Sequence, residues 1–239
     1  MRYLIDTHTH TIASGHAYNT IDEMTRRAAQ IGLPNLAITE HAPKMYGSCS
    51  KLYFSNLNIV PKFKYGVRRY MGCEVNIMDY EGKLDLSDRF LSQMDIVIAS
   101  FHMPCIKPGT ESENTKALLK VMENPYVNII GHPDDGRYPV DMEAVVKAAG
   151  ADHKLLELNN TSLRPEGPRE NTKENDIKML DLCKRYGVYI ALGSDAHIEE
   201  DICNFGLCEE VLKETDFPDR LVANLDMELM ESYLAKPAL

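Results

Sequence analysis

The chain has 239 residues, 44% hydrophobic and 26% charged, with a formal net charge of −10. That length fits one large α/β domain or two small ones, and the apolar content suffices for a sizeable core, which excludes a disordered chain. The acidity argues against a general nucleic-acid binder, and no stretch approaches the roughly 18 apolar residues of a membrane span.

The predicted elements alternate along the chain. A short apolar run over Tyr3–Asp6 reads as the first strand. Thr20 and Glu23 then form a capping box for a helix with Ile21, Met24, Ala28 and Ile31 on one face, stopped by Gly32 and Pro34. A second strand covers Leu36–Thr39. The stretch Lys44–Arg69 departs from the pattern: it holds six lysines and arginines, no acidic residue and five aromatics. It reads as a loop over the site that steers an anionic substrate, with a solvated helix as the alternative. Strands follow over Arg69–Val75 and Asp95–Phe101, a helix over Glu111–Glu123, a strand over Val127–Gly131, a helix over Asp141–Gly150 and a strand over Lys154–Leu158. Asn171 caps the next helix, with Glu174 three positions on, Ile177, Leu180 and Cys183 as its apolar stripe, and Gly187 at its end. The last strand is Val188–Gly193, followed by helices over Leu207–Thr215 and Met227–Leu234.

The strand-like runs are short and rich in Ile, Val and Leu, which suits a parallel sheet buried on both faces. Repeated strand–helix alternation implies an α/β fold with short crossovers, and in such folds sites lie at the carboxyl ends of the strands. No internal boundary is visible, so residues 1–239 read as one domain. The six cysteines include no Cys-x-x-Cys pair, and Asp6 comes too early for a signal peptide. The expectation is reduced thiols in the cytoplasm.

The histidines carry the chemistry. His8 and His10 follow the first run, His41 the second, His102 the fourth, His132 the fifth and His197 the seventh, while Glu74 sits near the end of the third. His16 lies on the loop after the first strand. If the runs are parallel strands, these residues converge on one face. In extended chain His8 and His10 point the same way, as do Asp195 and His197. Imidazole and carboxylate together suit zinc, manganese or iron. His8, His10, His16, His41, His102, His132, His197, Glu74 and Asp195 are too many ligands for one ion. They imply two or three metals bridged by a carboxylate such as Glu74. One strand-end histidine is ordinarily a hydrogen-bonded structural residue; six strand ends of the same kind are not explained that way. His153 starts its run, on the wrong face, and stays outside the set.

The pattern resembles the PHP (polymerase and histidinol phosphatase) superfamily, most closely its YcdX-like phosphatase branch. The matching pieces are Asp6-Thr7-His8-Thr9-His10-Thr11, His16, Ile38-Thr39-Glu40-His41, Gly72-Cys73-Glu74-Val75-Asn76, Ser100-Phe101-His102, Gly131-His132-Pro133, Glu157-Leu158-Asn159-Asn160 and Gly193-Ser194-Asp195-Ala196-His197. The resemblance implies a distorted (β/α)7 barrel with a trinuclear centre. One metal would be held by His8, His10, Glu74 and Asp195, a second by Glu74, His102 and His132, and a third by His16, His41 and His197. Glu40 stands where the family usually has Asp, so a contact that orients a ligand is altered.

Such a centre suits hydrolysis of a small phosphomonoester by metal-activated hydroxide, with three divalent ions, zinc first and manganese or iron next. Glu74, Asp195 and His197 are the expected catalytic residues. Arg137 and Arg164 are expected to bind the phosphate, ahead of Arg169 and Lys173. Glu157 and Asp134 are candidate acids for the leaving oxygen, more readily read as structural. The competing readings are a phosphodiesterase or exonuclease on nucleotides or DNA ends, a metal-dependent amide hydrolase, and a metal-binding protein without catalysis.

Overall fold

Short β-branched runs form the strands, and they place the ligand-type residues on one rim. The computed structural model describes residues 2–236. Its strands are β1 (Ile5–Asp6), β2 (Asn35–His41), β3 (Phe63–Lys64), β4 (Val67–Asn76), β5 (Ile96–Ser100), β6 (Ile129–Ile130), β7 (Leu155–Asn159) and β8 (Ile190–Gly193). The sheet runs β1-β2-β4-β5-β6-β7-β8, all parallel, with β3 antiparallel on β4. Its two ends meet where Thr9 bridges Ala196 and the Asp195 N–H donates to the His8 carbonyl at 2.9 Å. The result is the α/β fold expected from the strand pattern, in the form of the distorted seven-stranded barrel that the resemblance implies.

The period-2 alternation of side chains sorts each strand into an outer and an inner face. On β4, Met71, Cys73 and Val75 face the surrounding helices, while Tyr70 packs inside. Val97 and Ala99 of β5 likewise face outward, and Ile96 and Ile98 inward. The lower half of the barrel is thus filled by Ile5, Ala37, Tyr70, Ile96, Ile98, Ile129 and Leu155. The same parity turns Glu74 and Glu157 inward one or more steps higher, at the carboxyl ends. The amino-terminal mouth is closed by Met230, Tyr233 and Leu234.

The helices are α1 (Ile21–Gln30), α2 (Lys51–Ser55), α3 (Asp88–Leu91), α4 (Glu111–Met122), α5 (Met142–Ala151), α6 (Thr172–Tyr186), α7 (Gly206–Glu214) and α8 (Met227–Leu234). The capping box of α1 forms as expected, and a second, Thr110 with Glu113, starts α4. Asn171 does not cap α6 by its side chain: it sits at φ 52° and makes no cap hydrogen bond. Asn tolerates this left-handed conformation, which lets the loop turn into the helix while Glu170 O accepts from Gly136 N–H at 2.7 Å. None of the helices among the described residues is long and apolar enough to cross a membrane.

The basic segment is a loop over the site only in its first half, where Met45 lines the cavity. It contains α2, β3 and the start of β4, whose Arg68 pairs in register with Asn35 at the start of β2. Its second half therefore lies at the amino end of the barrel, opposite the histidines. The charges there are matched: Lys62 pairs with Asp95 at 2.6 Å, Lys64 with Asp22, and Arg68 with Glu231 at 2.5 Å. Arg69 is buried and donates to the Pro61 carbonyl. His153 lies at that same end, stacked on Tyr233 with centroids 3.8 Å apart, clear of the site as expected.

Candidate metal centre

Seven strands end at one rim, and six of them contribute a histidine or carboxylate of the expected set there. His8 and His10 follow β1, His41 ends β2, Glu74 lies near the end of β4, His102 follows β5, His132 follows β6, and Asp195 and His197 follow β8. His8, His10 and Glu74 are fully buried, and His41, His132 and Asp195 nearly so. His16 is exposed on the outer edge, its ring 4.9 Å from that of His41 and 4.7 Å from that of His197.

Glu74 stands at the middle. Its Oε1 lies 2.9 Å from His132 Nε2 and 3.1 Å from His102 Nε2. Its Oε2 lies 2.7 Å from His41 Nδ1, 3.4 Å from His8 Nε2 and 3.6 Å from His10 Nε2. Asp195 Oδ1 faces His10 Nε2 at 3.3 Å and His8 Nε2 at 3.7 Å. Three overlapping groups bring their ligand atoms within 4.8 Å of one another: His8, His10 and Glu74; His41, Glu74 and His102; and His10, His41 and His197. Glu74, His10 and His41 each belong to two of these groups.

The hydrogen bonds behind the rings decide which nitrogens are bare. Glu157 Oε1 can only accept, so His8 Nδ1 donates to it, at 2.7 Å. The Ser14 hydroxyl donates to Glu40 Oε2 at 2.5 Å and so accepts from His10 Nδ1 at 3.1 Å. Asn76 donates its amide to Ala42 O and Asp85 Oδ2, which leaves Asn76 Oδ1 to accept from His102 Nδ1 at 2.8 Å. His197 Nδ1 donates to the Asp195 carbonyl at 2.9 Å. In each case Nε2 is the nitrogen turned toward the others. His8 Nε2 and His10 Nε2 stand 3.0 Å apart, and Glu157, Glu74 and Asp195 outweigh burial to raise the His8 imidazole well above its usual pKa. Glu74 Oε2, His41 Nδ1 and His102 Nε2 are buried with no aligned hydrogen-bond partner. Divalent cations fit this donor set: imidazole nitrogens and carboxylate oxygens, several of them buried without a partner, are the ligand types such ions take.

Ionisation follows the same logic. Burial alone would raise the Glu74 carboxyl, but His102, His8 and His41 outweigh it and hold it well below the usual carboxylate range. Burial works the same way on Asp195, and His8, His10 and Arg169 hold it well below its usual value. Burial, then the neighbouring His41 and His197, keeps His10 neutral. His132 and Asp195 sit at positive φ, 31° and 55°, backbone strain of the kind that collects at functional sites.

Two arginines differ from their expected order. Arg164 pairs with Asp201 at 2.8 Å and does not line the site. Arg169 does line it, donating to Asn159 Oδ1, to Ser162 Oγ at 2.8 Å and to Asp195 Oδ2 at 3.2 Å. Glu157 is no free acid: beyond His8 it accepts from the His132 backbone N–H at 2.8 Å and from Asn159. Asp134 is fully buried, and burial pushes its carboxyl up to about 7. Arg137 lies where expected, forked onto Asp135 through Nε and Nη2. It lines, with Arg169, His102 and His197, a cavity of about 250 Å³ above the cluster.

Comparison with known proteins agrees with this geometry. The PHP domain model matches residues 6–161. A probable phosphatase of Caldicellulosiruptor saccharolyticus is 47% identical over 230 residues, 96% of this chain and 95% of the relative. A probable phosphatase of Clostridium novyi is 47% identical over 98% of this chain and 95% of its own length. Among solved structures, a histidinol phosphate phosphatase of Lactococcus lactis, complexed with zinc, L-histidinol and phosphate, shares the fold. It covers 90% of this chain and 95% of its own, with a TM-score of 0.63 at 22% identity. The chain belongs to the PHP domain family, alongside relatives named probable phosphatases.

Proposed function

We propose that the protein is a metal-dependent phosphatase that hydrolyses small phosphomonoesters at a centre of three divalent ions. One ion is assigned to His8, His10, Glu74 and Asp195, a second to Glu74, His102 and His132, and a third to His16, His41 and His197. The observation that carries this reading is the convergence of five histidines, His8, His10, His41, His102 and His132, on the buried carboxylate of Glu74, with Asp195 beside them. Zinc suits these donors and accompanies the Lactococcus lactis relative of the same fold; manganese and iron suit them too. Bound there, divalent ions supply a water of lowered pKa and neutralise phosphate charge.

The protein's own groups then divide the work. Glu74 and Asp195 stay ionised and anchor the centre, and His197 stands at the opening of the cavity. Arg169, held rigid by Asn159 and Ser162, presents its guanidinium edge to a phosphate oxygen, and Arg137 lines the same cavity. Arg169 takes the role first expected of Arg164. The small cavity and the pairing of basic side chains at the far end both favour a small ester over a nucleic-acid strand. The six free cysteines suit a reducing, cytoplasmic setting.

Elemental analysis of the purified protein, with phosphate release from p-nitrophenyl phosphate and its bis ester, tests the reading. The expected result is about three ions per chain with turnover of the monoester. Cleavage of the bis ester alone would replace the reading by a phosphodiesterase. Bound metal with neither ester cleaved would leave the amidase or a non-catalytic metal protein.

A further inference from the structure

The mouth of the cavity is uneven in chemistry. One wall is apolar, made of Met45, Phe101, Met103, Pro104 and Pro168. Met103 is 46% exposed, and Pro104 and Pro168 are also exposed, so these three face the opening, while Phe101 is buried and continues into the core. The lining also carries two guanidinium groups, Arg137 and Arg169. Of the residues that line the cavity, only Asp195 carries a carboxylate, and it is taken up by Arg169 and faces His10. Asp135, the nearest other acid in that loop, is 3% exposed with both oxygens on Arg137. No carboxylate on the lining is free to pair with an ammonium group.

From this wall we infer the substrate class: phosphomonoesters whose alcohol part is uncharged and apolar or carries one aromatic ring, with amino-alcohol phosphates rejected. The inference rests on the phosphatase reading. The phosphate would occupy the inner end, beside the histidines and Arg169. The alcohol part then meets the methionine and proline wall. Thioether and proline surfaces accept a flat ring through dispersion, and methionine adapts to its shape. An ammonium placed there would lose its water and gain no anion. A cavity of about 250 Å³ lies below the roughly 300–1,000 Å³ of sites for larger ligands, which restricts the alcohol part to about one ring.

Binding of non-hydrolysable phosphonates to the metal-loaded protein, measured by calorimetry, tests this without turnover. The series is inorganic phosphate, methylphosphonate, ethylphosphonate, benzylphosphonate and 2-aminoethylphosphonate. Benzylphosphonate should bind about tenfold tighter than methylphosphonate, the gain from burying one ring face. Aminoethylphosphonate should bind about tenfold weaker than ethylphosphonate. Met103→Asp, at an exposed position, should remove the benzyl advantage and narrow the gap between the ethyl and aminoethyl ligands. If benzyl and methyl ligands bind alike, or the amine binds as well as ethyl, the substrate class is wrong while the phosphatase reading stands. If neither phosphate nor methylphosphonate binds, the phosphatase reading itself fails and takes this inference with it.

Discussion

Ser14 donates its one hydroxyl proton to Glu40, and can therefore only accept from His10 and from the His41 backbone N–H. A residue with no charge thus sets the tautomer of a metal-type histidine. Ser14→Ala should leave His10 Nδ1 without its acceptor and weaken metal affinity roughly 10–100-fold, read by competition with a chelator. The phosphate contact is tested by a pair of variants. Arg169→Lys should raise KM about tenfold or more, because the rigid fork becomes a point charge, whereas Arg164→Ala should leave KM unchanged. Histidines and carboxylates at strand ends were legible in the sequence because strand parity and strand direction together fix where such residues point. Ser14 was not legible, since nothing in a Thr-Ile-Ala-Ser run shows which proton a hydroxyl donates. Nor was the choice of Arg169 over Arg164: both follow β7, and the coil of the intervening loop turns one inward and the other to Asp201. Glu40 reads differently once seen in place. Its carboxylate collects Thr11 N–H, the Thr11 hydroxyl and the Ser14 hydroxyl, and so braces the loop that carries His10.

At the scale of elements, the seven strands and most helices follow their predicted ranges, because each is bounded by a cap, a glycine or a change of period. The basic stretch from Lys44 to Arg69 fails that logic for an electrostatic reason. The acids that neutralise it lie 33, 42 and 163 residues away, at Asp95, Asp22 and Glu231, so a local window shows only positive charge. These exposed pairs contribute little stability and no field at the opposite end of the barrel. Converting Lys62, Lys64 and Arg68 together to alanine should leave KM for a phosphomonoester within about twofold, even at low salt. A steering lid would instead show a large, salt-dependent rise in KM. β3 and the short α3 were also missed: two and four residues are too few to display a period.

On the whole-molecule scale, charge buried away from the rim costs stability. Asp176 of α6 is fully buried, and neither carboxyl oxygen has a hydrogen-bond partner. Burial, with Asp134 and Glu157 adding to it, raises its pKa well above 3.8. The folded state therefore prefers this carboxyl protonated. Its contribution is fully present below the unfolded pKa and is lost as pH rises toward the folded one. Asp176→Asn should raise the melting temperature at pH about 8 by roughly 2–4 °C per kcal/mol recovered, with a gain of about 1–2 kcal/mol, and should change little at pH about 4. Equal gains at both pH values would show that ionisation is not the cause.

The join between Thr9 and Ala196 has a consequence for how the molecule is made. Its two sides come from opposite ends of the chain, and so do the donors His8 and Asp195. During synthesis the early histidines emerge long before their partners, and the ring cannot shut until residue 197 is free of the ribosome. The donor set is therefore complete only in the closed barrel, and no amino-terminal fragment that stops short of Asp195 contains it.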